Sequence, residues 1–145
     1  SILGQRYTHG HVYDFCKQLK EDPSHLYILG DGNQKKAYLH VDDFIDGIWV
    51  GINNSNDKIN IFNLGAKDFC PVSDSAQWII ERLKLSPKIT YSGGERGWVG
   101  DNPFIFLETN KISSFGWEPI NTIRESIEKT VDFLLENEWV FDFRK

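Results

Sequence analysis

The sequence contains no methionine and only two cysteines, Cys16 and Cys70, in 145 residues. Two thiols cannot build a disulfide framework, so a reducing compartment, the cytoplasm, is the expected location. Without an initiator methionine, the chain reads as a processed, trimmed or excised piece. Positive charge is also short: 16 Lys and Arg stand against 21 Asp and Glu, a net charge of −5. A nucleic-acid platform needs a positive field to displace counterions, so no nucleic-acid partner is expected. No apolar run approaches the ~20 residues that span a bilayer, and no basic-then-apolar leader opens the chain, so no membrane partner is expected either. Repeats, low-complexity tracts and long linkers are missing, as are G-x-S-x-G, H-E-x-x-H and Walker loops.

Aromatic residues are what the chain has in excess: five Trp, five Tyr and ten Phe. Such side chains bury large areas, so a core can be built at this length, and residues 1–145 are read as one domain. Ile2 and Leu3 look like a strand end. Helical spacing of Val12, Tyr13, Phe15, Cys16 and Leu19 predicts a helix from His11 to Lys20. Leu26–Gly30 and Ala37–Val41 read as strands around the turn at 30–33. Asp42 and Asp43 suit the positive end of a helix carrying Phe44, Ile45, Ile48, Trp49 and Ile52. Lys58–Gly65 alternates as a strand should. Ser73 is the expected N-cap of a helix with Ala76, Ile79, Ile80 and Leu83. Ile89–Tyr91 is a brief strand before the glycine-rich loop at 92–101. Thr122 and Glu125 have capping-box spacing and open a last helix through Leu135. Mixed and roughly alternating elements mean an α/β or α+β domain.

Two segments offer chemistry. In GGERGWVGD, Gly93 to Asp101, the glycines let backbone approach a ligand, Arg96 offers a planar fork for phosphate, and Asp101 can take a sugar hydroxyl. The alternative is a surface turn with Arg96 paired to Glu95 or Asp101. In GDGNQKKAYLHVDD, Gly30 to Asp43, Lys35 or Lys36 can point into a cleft as a phosphate counter-charge, or both can form a solvated strand edge. His9 and His11 have the spacing of a metal pair, but most such pairs are incidental, so no metal is expected. His40 reads as a hydrogen-bonded strand residue and Cys16 as core. Trp98 and Trp117 either stack on a base or cover the core.

These segments carry a resemblance. Gly30 to Asp43 resembles the "GDGxQxRDYxxVxD" segment of the extended short-chain dehydrogenase/reductase superfamily, the NAD-dependent nucleotide-sugar epimerases and dehydratases. SILGQR resembles its "NxxGPR" strand end, INIFNLG its "YNIG" strand, and Leu107 to Pro119 its "LDxSKxxxLGWxP" segment. Four departures stand out: Gln5 replaces a proline, Lys36 an arginine, Ser1 a substrate-side asparagine and Glu108 an aspartate.

The resemblance implies the C-terminal, substrate-binding lobe of a Rossmann-type enzyme. Lys36 and Arg96 then fall to the diphosphate of a nucleotide-diphosphate sugar, and Tyr38 and Asp101 to its base and ribose. No residue is assigned to catalysis. The family's NAD loop, TGxxGxxG, has no counterpart here, and the formal Y-x-x-x-K of Tyr13 and Lys17 falls after the point where the catalytic pair belongs. NAD is therefore expected in the complete family enzyme and not on this piece, which is expected to be inactive alone. A non-catalytic binding or interaction module, or one half of a split enzyme, is the rival expectation. A missing N-terminal half or self-association would then cover its exposed faces.

Overall fold

Apolar side chains at helical spacing settle the first large element. In the computed structural model, which describes residues 1–102 and 104–142, a short strand β1 (Ile2–Leu3) leads to helix α1 (His11–Glu21). This helix buries Val12, Tyr13, Phe15, Cys16 and Leu19. There follow β2 (His25–Ile28), β3 (Lys35–Lys36), β4 (Leu39–His40) and α2 (Val41–Asn54). Then come β5 (Cys70–Pro71), α3 (Val72–Leu83), β6 (Lys88–Tyr91), α4 (Asn110–Ser113), α5 (Ile123–Glu136) and α6 (Trp139–Asp142). The mixed α/β class expected from the sequence is what forms.

The strands meet in three pairs. β2 runs parallel to β6, with His25 opposite Lys88 and Ile28 opposite Tyr91. β1 runs parallel to β4, while β3 and β5 pair antiparallel, Lys36 opposite Cys70. The main core gathers α1, α3 and α5 on the inner face of β2, through Leu26, Ile28, Ala76, Ile79, Ile127, Val131 and Leu134. A smaller cluster joins Leu39, Ile112 and Trp117 beneath Phe44, Phe62 and Leu64. Trp117 is 1% exposed and donates its indole N–H to the Asp43 carbonyl at 3.1 Å. The buried Asp43 carboxylate accepts from Ile120 N, Asn121 N and Asn121 Nδ2, which ties the start of α2 to the entry of α5. The α5 capping box forms as expected, with Thr122 and Glu125 satisfying each other's backbone N–H groups.

Two expectations change. Residues 58–65 alternate in burial as a strand does, with Phe62 and Leu64 turned inward and Ile59 and Ile61 left 81% and 75% exposed. Yet no neighbour among the described residues pairs with their backbone, and the segment is extended coil. Ser73 is not the N-cap of α3; Pro71 holds that position. The first helical N–H groups go instead to the distant segment between β2 and β3, Val72 N to Gln34 O and Ser73 N to Gly32 O, so no side-chain cap is needed.

Candidate functional site

Strand alternation separates the two lysines of β3. Lys35 turns outward, its ammonium 4.8 Å from the centre of the Phe69 ring. Lys36 turns into a cleft, where it pairs with the Asp101 carboxylate and donates to Asn102 O at 3.2 Å. Asp101 also accepts the Gly97 backbone N–H at 3.4 Å, which closes a turn within the loop, while its pair with Lys36 ties that loop to β3. Both members of this ion pair are largely enclosed, at 22% and 14% exposure.

The pair divides two adjoining spaces. One is a cleft of about 300 Å³ reaching toward Leu64, Gly65 and Leu107. The other is a cavity of about 320 Å³ reaching toward Tyr27, Gln34 and Tyr38. Ser1, Lys36, Trp98 and Asp101 line both. Volumes of this size suit parts of a small organic ligand, and the cavity on the Tyr38 side is lined largely by polar side chains. Trp98 is 66% exposed at the shared wall, outside the core, whereas Trp117 belongs to the core.

Tyr38 lies beneath the lysine. It is 4% exposed, its hydroxyl is 2.7 Å from His11 Nδ1, and the two rings stack with centroids 5.0 Å apart. Burial first, then nearby groups including Asp101, pushes the Tyr38 phenol up from its ordinary range. Burial and the neighbouring Lys36 charge push His11 down to about 3, so its imidazole is neutral at physiological pH. The structure therefore brings Lys36, Tyr38 and Asp101 together. It leaves Arg96 apart: exposed on the loop after Gly93 and Gly94, both at positive φ, and lining neither space.

His9 and His11 do not converge. His9 stacks on Tyr7 while His11 turns to Tyr38, and among the described residues no cluster of three potential metal ligands occurs. Tyr13 is buried against Phe141 in the core. His40 is fully buried and caps α2 by accepting from Asp42 N. Glu108 accepts from Asn110 N at the start of α4. Two residues that line the cavity, Gln34 and His11, were not assigned a binding role from sequence. A glutamine four residues after a glycine held at φ +85 is the signal, since only glycine leaves room for that side chain.

A dinucleotide would need a glycine-rich turn opening directly into a helix, whose free N–H groups hold the pyrophosphate. The glycine-rich loop at 92–101 runs into coil, and its glycines face no helix N-terminus. The described residues do not form that cradle.

Comparison with known proteins bears on the fold. Residues 3–65 match the NAD dependent epimerase/dehydratase family. A trifunctional UDP-glucose 4,6-dehydratase/3,5-epimerase/reductase of Arabidopsis thaliana is 28% identical over 119 residues, covering 79% of this chain and 17% of the relative. A crystal structure of UDP-galactose 4-epimerase superposes with a TM-score of 0.79 and 30% identity, covering 96% of this chain and 44% of that one. The dTDP-glucose 4,6-dehydratase of Bacillus anthracis, solved with NAD, gives 0.82 at 22% identity, covering 100% and 45%. The chain thus spans less than half the length of these proteins. In sequence over residues 3–65, and in fold over nearly its whole length, the chain is similar to the Rossmann-like, NAD-dependent epimerases and dehydratases of nucleotide sugars.

Proposed function

We propose that the chain is the nucleotide-sugar-binding portion of an NAD-dependent epimerase/dehydratase, with residues 1–145 as its substrate-binding domain. In the complete enzyme, NAD would take a hydride from a sugar carbon transiently and return it. This portion's own residues bind and orient the substrate, and alone it is inactive. The observation that carries the reading is the meeting of Lys36, Asp101 and Trp98 at the wall between two spaces. A diphosphate at Lys36 exchanges Asp101 for a phosphoryl oxygen, which frees the carboxylate for a ribose hydroxyl. Arg96, exposed one turn along the same loop, is the second cation that loop movement would bring to the diphosphate. Two buried, unpaired thiols suit a reducing compartment, and we place the protein in the cytoplasm.

The test is thermal melting of the chain with UDP-, dTDP- and GDP-sugars. Saturable stabilisation by at least one supports the proposal; no stabilisation by any at millimolar concentration overturns it.

A second reading has its own observation. Ile45, Ile48, Trp49 and Ile52 are exposed at helical spacing on α2, an apolar face suited to another polypeptide. An interaction module, or half of a split enzyme, would self-associate or seek that polypeptide. A monomeric mass by sedimentation, together with nucleotide-sugar binding, would dismiss it.

A further inference from the structure

The glycine-rich loop is anchored firmly at its first end. Gly93 bridges Gly30 and donates to its carbonyl at 2.9 Å, while Ser92 N donates to Ile28 O at 3.0 Å. At and just beyond the bridge, Gly93 and Gly94 hold φ of 78° and 86°, and a Cβ on either would meet nothing within 4 Å. Two such glycines in open space give the backbone a pivot. Past the pivot, residues 97–101 close on themselves. Gly97 N donates to the Asp101 carboxylate at 3.4 Å, and Asp101 N donates to Trp98 O at 3.0 Å.

That turn is fastened to the body of the protein at one point. Among the described residues, every hydrogen bond and ion pair from residues 94–101 to the rest of the chain goes to Lys36. Val99 is left 95% exposed, and Trp98 and Arg96 are exposed with it. The fastening is also the wall between the two spaces. At about 300 and 320 Å³, each lies at the low end of the range for ligand pockets, and breaking the pair joins them.

We propose that residues 94–101 form a strap and that the Lys36–Asp101 contact is its autoinhibitory latch. Asp101 holds the lysine until the diphosphate of a ligand displaces it. The strap then pivots at Gly93 and Gly94 and closes over the anion, carrying Arg96 inward. A diphosphate offers several charged oxygens to the ammonium and so outcompetes a single carboxylate. An uncharged nucleoside or sugar has nothing to exchange for Asp101 and leaves the wall shut. This rests on the proposed function, and it goes beyond it by making entry to the site conditional on the anion.

Limited trypsin digestion of the full chain tests it, with cleavage after Arg96 read as a ratio to cleavage after the exposed Lys58. Proteolysis tracks the population of the open form, so Asp101→Ala, which removes the latch, is expected to raise that ratio about fivefold. Inorganic pyrophosphate is expected to lower it about fivefold or more in the unaltered chain and to leave it unchanged in Lys36→Met. General stabilisation or unfolding would move both cleavage sites together. The pyrophosphate comparison needs no variant, so it decides the matter even if Asp101→Ala fails to fold. A folded Asp101→Ala cut no faster after Arg96, or pyrophosphate that binds in isothermal titration without slowing that cut, would overturn the strap while leaving the proposed function standing. No binding of pyrophosphate or of any UDP-, dTDP- or GDP-sugar to the unaltered chain would overturn both.

Discussion

Neutralising the two ends of the Lys36–Asp101 pair separately should move anion affinity in opposite directions. Lys35 and Lys36 both line the cleft with Asp101 and Trp98, and Lys36 is the one that pairs with the Asp101 carboxylate. A hydrogen bond to a charged group contributes about 1.5–3 kcal/mol, so Lys36→Met should weaken inorganic pyrophosphate by roughly 10- to 150-fold. Asp101→Asn removes the carboxylate that competes for the ammonium. Two unit charges 4 Å apart interact by about 4 kcal/mol at an effective dielectric constant of 20. The pair retains some solvent contact, 22% and 14% exposure, and asparagine still accepts a bond. A net gain of about 1 kcal/mol remains, roughly fivefold tighter pyrophosphate. Isothermal titration at low, fixed ionic strength reads both effects, with melting curves confirming that each variant folds. Unchanged affinity in Lys36→Met, or weaker pyrophosphate in Asp101→Asn, would refute the assignment of this cleft to a diphosphate.

Other outcomes follow from the same structure. Trp117→Phe removes the indole hydrogen bond to the Asp43 carbonyl, which keeps its helical partner within α2, and trims a buried side chain of the smaller core cluster, and should cost about 1–3 kcal/mol in urea unfolding. Thr122→Ala removes the α5 capping box, for about 1 kcal/mol and a melting point about 2–4 °C lower. His11 is held down to about 3 from 6.5, so the unfolded chain takes up this proton first as pH falls. Its contribution to stability is complete above about pH 6.5 and is lost between there and pH 3, at up to about 1.4 kcal/mol per pH unit. Denaturation at pH 7 and pH 4.5 should show a smaller pH dependence in His11→Gln, and an identical dependence would contradict this. Burial raises both thiols, Cys16 to about 12, so neither should react with a thiol reagent at pH 8 until the chain unfolds.

Local pattern made part of this fold legible. Helices α1 and α5 declared themselves because their apolar spacing and, in α5, the Thr122–Glu125 box are contained within a few turns. Partner choice between strands was not legible in the same way. β2 and β6 pair across some 60 residues, and nothing in either run of four names the other. Residues 58–65 kept the strand period but found no partner among the described residues, since alternation reports burial rather than pairing. At the site, Lys36 and Asp101 were visible as charged residues in unusual loops, and their meeting is a tertiary fact. Arg96 looked equivalent to Lys36 by charge alone, yet its loop carries it outward. His11 was read beside His9 because sequence shows neighbours; its actual partner, Tyr38, lies 27 positions away.

The most direct test of a nucleotide-sugar site at this wall is the set of indole N–H resonances from the five tryptophans, followed by NMR during titration with UDP-glucose. The Trp98 signal should shift saturably, while that of Trp117, locked to the Asp43 carbonyl, stays in place. Indole signals that all remain still at millimolar UDP-glucose, or a change at Trp117 without one at Trp98, would contradict the account.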